Sequence, residues 1–145
     1  MLVEMSVKGL MVDPVTNMPI VILRDAENQR VLPIWVGPVE ANAIALRIEN
    51  IAPPRPMTHD LLRSVITELG GQLERIVVSD LKENTFYAQL HVHTSAGLRT
   101  IDARARLAGA GGLAGGEVET EQRRTGGDKE PAVTGRNEDA LRYRA

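Results

Sequence analysis

Four short strings in this 145-residue chain carry side chains able to do chemistry. In PRPMTHDLL, Arg55 stands between two prolines that fix its backbone, and His59 and Asp60 fall in the first turn of a helix. Free N–H groups and the helix dipole at such a turn favour an anion. A guanidinium at Arg55 suits a phosphate, and His59 can carry a proton near neutral pH. The plainer reading is that Asp60 only complements the helix end and His59 is solvated. In LPIWVGPVEAN, Glu40 opens a helix, which by itself is ordinary capping. Trp35 in the same string reads as core or interface before it reads as a base-stacking platform. In NTFYAQLHVH, Tyr87, Gln89, His91 and His93 share one strand face, and Phe86, Ala88, Leu90 and Val92 share the other. Two histidines at i and i+2 can both reach a metal. With three histidines in the whole chain, a solvated or interface face is the favoured reading. In TIDAR, Asp102 and Arg104 point to one face of a strand and can form a structural ion pair.

The elements that must position these groups are legible from periodicity. Val3, Met5, Val7 and Met11 alternate with polar residues and predict a long first strand with one buried face. MPIVILRD and RVLPIWVG predict two more strands around the polar turn AENQ, giving a three-stranded antiparallel meander. After Gly37 and Pro38, the spacing of Val39, Ala43, Ile44, Leu46 and Ile48 predicts a helix that ends near Asn50. Thr58 reads as the N-cap of a second helix, with Leu61, Leu62, Val65, Ile66 and Leu69 on its buried side and Gly70 as a left-handed stop. QLERIVVSDL, NTFYAQLHVH and GLRTIDAR predict three further strands, the first two joined around Lys82 to Asn84. The expected fold is α+β: a largely antiparallel sheet layer with two helices packed on it, in the order βββ-αα-βββ.

Composition divides the chain at Arg104. Residues 1–104 contain five glycines, whereas 105–145 contain eight, with Leu107, Leu113, Val118, Val133 and Leu141 as the only large aliphatic residues. Five scattered apolar side chains cannot offset the ordering entropy of that segment, so it reads as a disordered tail in which Glu117 to Arg124 could be transiently helical. One domain, 1–104, is expected, followed by a glycine-rich and charged tail, 105–145.

The balance of 17 Lys+Arg against 19 Asp+Glu gives no excess positive field, so any nucleic-acid contact must be a local patch. The absence of cysteine removes disulfides and thiolate chemistry and fits a reducing compartment. MLVEMSVKGLMV alternates and carries Glu4 and Lys8, unlike a signal peptide, and no segment reaches membrane-spanning length. A cytoplasmic location is expected.

LPIWVGPVEANAIAL, PRPMTHDLL, NTFYAQL and TIDAR, in that order and spacing, resemble the bifunctional nuclease domain of bacteria and plants, whose members are described as cleaving both DNA and RNA. The resemblance spans residues 1–104. It implies a mixed α/β domain that self-associates into homo-oligomers and hydrolyses phosphodiester bonds. Carried over residue by residue, it marks Glu40, His59, Asp60 and Asp102 as catalytic candidates and Arg55, Tyr87 and Arg104 as substrate-binding candidates. In the family, the strand ending in Asp-Ala-Arg runs into Pro-Ser-Asp and an Ala-Leu helix. Here ARLAGAGGLAGG stands instead, which a one-base insertion after the arginine codon would produce.

For such chemistry, Arg55 and Arg104 would neutralise a scissile phosphate, His59 would deprotonate water, and Glu40, Asp60 and Asp102 could hold a divalent cation such as Mg²⁺. A different class of reading is a noncatalytic oligomeric scaffold, or a small-anion-binding domain. Convergence of the named residues in a cleft favours the enzyme, and their burial at a symmetric contact favours the scaffold.

Overall fold

The computed structural model describes residues 2–83, 85–105 and the backbone of 117–121. Its elements run β1 (Leu2–Val12), β2 (Pro19–Asp25), β3 (Val31–Trp35), α1 (Pro38–Ile48), α2 (Thr58–Glu68), β4 (Gln72–Lys82), β5 (Thr85–Thr94), β6 (Gly97–Arg104) and β7 (Glu117–Glu121). The fold is α+β. Two antiparallel three-stranded meanders, β1-β2-β3 and β4-β5-β6, meet through β7 in one sheet of order β3-β2-β1-β7-β4-β5-β6.

The polar turn after β2 forms as its composition predicts. The buried Asp25 accepts N–H bonds from Gln29 and Arg30, and Asn28 takes the left-handed conformation. These bonds satisfy a carboxylate whose burial would otherwise be costly. Pro38 occupies the first turn of α1, and Gly70, with φ +81°, stops the chain after α2. Past that stop, the Gly71 N–H donates to the Ile66 carbonyl at 2.8 Å.

The core is a single cluster between the sheet and the helices. Met5, Val21, Leu23, Ile34, Ile76, Val78, Ala88, Leu90 and Val92 supply the sheet side, and Ala41 and Ile44 of α1 supply the helix side. Ile66 of α2 packs against it, close to Gly71 and Val92.

Four expectations are corrected. Glu117–Glu121 is a strand, not a transient helix or part of a structureless tail. It runs antiparallel to β1 and parallel to β4, and the two open edges claim its backbone groups whatever its local preference. The remainder of the expected tail lies outside the described residues. A bulge between Val7 and Gly9 shifts β1 by one residue, so Leu10 pairs with Val21 and packs on the core in place of Met11. The N-cap of α2 is Met57, with Thr58 as the first helical residue; the Asp60 carboxylate accepts the Met57 N–H at 3.0 Å. Finally, the apolar stripe of α2 is not buried. Leu61, Leu62, Val65 and Leu69 are exposed, Leu69 by 82%, and only Ile66 reaches the core.

Candidate functional site

The structure places the seven candidate residues in three locations. Glu40 lies in the first turn of α1, where its carboxylate folds back over Gly37 and fills the space a side chain there would need. Asp60 lies in the first turn of α2, at the far end of α1 from Glu40. Its Oδ1 accepts from Arg47 Nη2 at 2.7 Å, and Arg47 is seven residues along α1 from Glu40, about 10 Å of helix. Glu40 and Asp60 therefore do not converge.

Sequence reasoning misses Arg47. The available signal is its position as the basic residue of the last turn of α1, matched by an acidic first turn in α2. The Met57 N–H holds the Asp60 carboxyl below the usual carboxylate range, and Arg47 and the nearby His59 act in the same direction against the cost of burial. Asp60 is thus a committed acceptor that ties two helix ends together. Beside it, His59 Nδ1 is buried with no hydrogen-bond partner among the described residues, and Arg55 is exposed on the preceding bend.

The third location is on the sheet. The β5–β6 register sets Tyr87 opposite Arg104 and Gln89 opposite Asp102. Ala88, Leu90 and Val92 of β5 lie in the core under the helices, so the alternating Tyr87, Gln89 and His91 share the face turned away from α1 and α2. Tyr87, Gln89, Asp102 and Arg104 are all exposed there. Lys82 Nζ stands 5.5 Å from the centre of the Tyr87 ring, within cation–π range, and also pairs with Asp80 at 3.1 Å.

His91, next along the same face, pairs in register with Arg75 and Thr100, and both of its ring nitrogens are buried without a hydrogen-bond partner among the described residues. His93 instead sets its Nε2 against the Glu74 carboxylate. The two histidines are therefore not paired in one role. Among the described residues, no three His, Asp or Glu side chains come together to hold a cation, so Glu40, Asp60 and Asp102 do not make a joint metal centre.

Pairing of β5 with β6 thus joins two of the four uncommon strings into one polar surface. The candidate residues of the other two, Glu40 and Arg55 to Asp60, lie in or just before the helices, on the opposite side of the sheet. Residues 21–108, more than half of the chain, match the family model of the bifunctional nuclease domain. The chain belongs to the bifunctional nuclease domain family.

The bifunctional nuclease domain match runs from β2 through β6 and takes in both polar surfaces, whereas β1 and β7 lie outside it. Over 87 residues the chain is 48% identical to the uncharacterized proteins MT1877 and Rv1829 of Mycobacterium tuberculosis, from strains CDC 1551 / Oshkosh and ATCC 25618 / H37Rv. The aligned stretch is 60% of this chain and 53% of each relative. The chain thus spans about half the length of the curated relatives it matches. No helix among the described residues is long and apolar enough to cross a membrane.

Proposed function

We propose that this chain hydrolyses phosphodiester bonds of DNA and RNA, and that the β5–β6 face receives the nucleic-acid strand. The observation that carries the reading is the register that sets Tyr87 opposite Arg104 and Gln89 opposite Asp102 on an open face. An exposed tyrosine ring offers a stacking surface for a base of either nucleic acid. Arg104 presents a fork to a phosphate, and the neighbouring Asp102 can take the proton of an attacking water. Attack of that water on phosphorus forms one P–O bond, breaks another, and releases an alcohol oxygen that must be protonated. Water at this open face supplies that proton. A hydrated Mg²⁺ would bind through a single carboxylate such as Asp102 together with substrate oxygens, since this ion keeps most of its waters. Arg55 and His59, on the helix layer, form a separate anion contact. Glu40 and Asp60 serve the helix ends, and the protein works in the cytoplasm as a homo-oligomer.

The test is cleavage of single-stranded DNA and RNA by matched preparations. Asp102→Asn is expected to lower the rate by about 10²–10⁴, the usual contribution of a general base, with the fold intact by circular dichroism. Parent-rate cleavage by Asp102→Asn, together with loss of cleavage in His59→Ala, would move the chemistry to the start of α2.

A second reading has its own observation. The exposed stripe Leu61, Leu62, Val65 and Leu69 on α2 suits an interaction protein that binds a partner without catalysis, since soluble monomers seldom leave such a stripe open. Absence of cleavage in a preparation that self-associates would favour this scaffold.

A further inference from the structure

β2 and β3 are apolar on both of their faces, whereas β5 alternates. Val21, Leu23 and Ile34 lie in the core with Ala41 and Ile44 of α1, so the residues between them, Ile20, Ile22, Pro33 and Trp35, fall on the side of the sheet away from both helices. Register adds Met11 of β1, opposite Ile20, and Val31 of β3, opposite Arg24, to that side. Among the described residues, none of these six belongs to the core cluster or packs against it; Val31 and Trp35 are exposed and the other four half-buried. A strand that is apolar on both faces has the pattern of a sheet covered on both sides. The polar Tyr87, Gln89 and His91 of β5 have instead the pattern of a face open to water.

The same chain carries a second uncovered apolar surface, the α2 stripe of Leu61, Leu62, Val65 and Leu69. The two surfaces match in size. From Leu61 to Leu69 the helix rises about 12 Å, and from Ile20 to Arg24 the strand advances about 14 Å. Three adjacent strands span about 10 Å, close to the width of one helix. Their charges match in one direction: Arg24 stands at one end of the sheet patch, and the last turn of α2 holds Glu68 and no basic residue, so its negative end suits Arg24. Within one chain the two surfaces cannot meet, because α2 sits on the helix side of the sheet with Ile66 against the core. Residues 106–145 offer little that could cover the patch, since apart from β7 their large aliphatic residues are Leu107, Leu113, Val133 and Leu141, too widely spaced to make a stripe. A second copy brings a complete stripe to the patch.

We propose that α2 of one copy lies with Leu61 to Leu69 across the outer face of β1, β2 and β3 of a second copy, its C-terminal end over Arg24. The contact joins unlike faces and repeats head to tail until the assembly closes. It rests on the homo-oligomer reading and not on the nuclease reading, and it leaves the β5–β6 face uncovered.

Ile22→Lys puts a charge at the centre of the sheet patch, and Leu62→Lys puts one in the helix stripe. Ile22→Thr and Leu62→Gln replace them if either lysine variant loses its circular-dichroism spectrum. In sedimentation velocity the parent should assemble as its concentration rises, and each variant alone should stay monomeric to at least tenfold higher concentration. Mixed in equal amounts, the two variants should form a 1:1 dimer, because the intact α2 of Ile22→Lys meets the intact sheet face of Leu62→Lys. Contact of α2 with α2 would leave Ile22→Lys associated, and contact of sheet with sheet would leave Leu62→Lys associated. Either result overturns the proposal. An assembling parent whose variants yield no mixed dimer would refute this contact alone, whereas a monomeric parent would refute the contact and the homo-oligomer reading together.

Discussion

Arg47 and Asp60 join the last turn of α1 to the first turn of α2 through a 2.7 Å charge-assisted bond. The same carboxylate accepts the Met57 N–H, so one side chain caps a helix and fixes the angle between two. Its depressed pKa sets the sign of a pH effect: the stabilisation is present above the usual carboxylate pKa and is lost as pH falls through the lowered folded value. We predict that Asp60→Asn melts below the parent at pH 7 and that the gap narrows as pH falls below the usual carboxylate range and the parent carboxyl itself takes up a proton. A gap that persists unchanged at low pH would mean the charge has no part in it. The Arg47–Asp60 coupling in a double-mutant cycle should stay under about 1 kcal/mol, because Arg47 is substantially exposed.

Trp35 Nε1 donates to Asp13 Oδ2 at 3.2 Å, and this is the only tryptophan in the chain. The Val15 N–H, the Thr16 hydroxyl and Trp35 all hold the Asp13 carboxyl below its usual range. Tryptophan fluorescence should therefore titrate in acid below the usual aspartate pKa, and Asp13→Asn should abolish that step. A step that survives the substitution would have another origin.

The two glycines after α2 should differ in their response to alanine. At Gly70, the left-handed backbone makes alanine cost about 1 kcal/mol, with open space around the new methyl. At Gly71, a Cβ would approach the Ile66 carbonyl oxygen and Cγ2 to 2.9 Å and Val92 Cγ1 to 3.1 Å. Backbone cannot yield as a flexible side chain does, so Gly71→Ala is expected to cost about 1–3 kcal/mol. Urea denaturation of both variants checks the order.

On the β5–β6 face, Tyr87→Ala should weaken binding of single-stranded oligonucleotides by about 1–3 kcal/mol, the worth of one stacked base. Arg104→Ala should reduce the dependence of that affinity on salt by about one phosphate contact. Titrations at several salt concentrations measure both. Unchanged affinity in both variants would remove this face from the binding surface.

Much of the fold is legible in the order of the residues alone. Alternation from Val3 and along β2 to β6, the 3.6-residue spacing of α1 and the stop at Gly70 each express a local rule, in which neighbours along the chain decide the outcome. The polar residues of the candidate site are also legible as residue types.

Their grouping is not. Tyr87 meets Arg104, and Gln89 meets Asp102, only because β5 and β6 pair in one register, while Asp60 is drawn to Arg47 by the packing of two helices. The bulge near Lys8 leaves no mark in the alternation that precedes it, yet it exchanges Met11 for Leu10 on the core face. Glu117–Glu121 would be read as a polar segment in any window of sequence. It is a strand because β1 and β4 each need a partner for their open backbone groups, a requirement that exists only once the two meanders stand side by side.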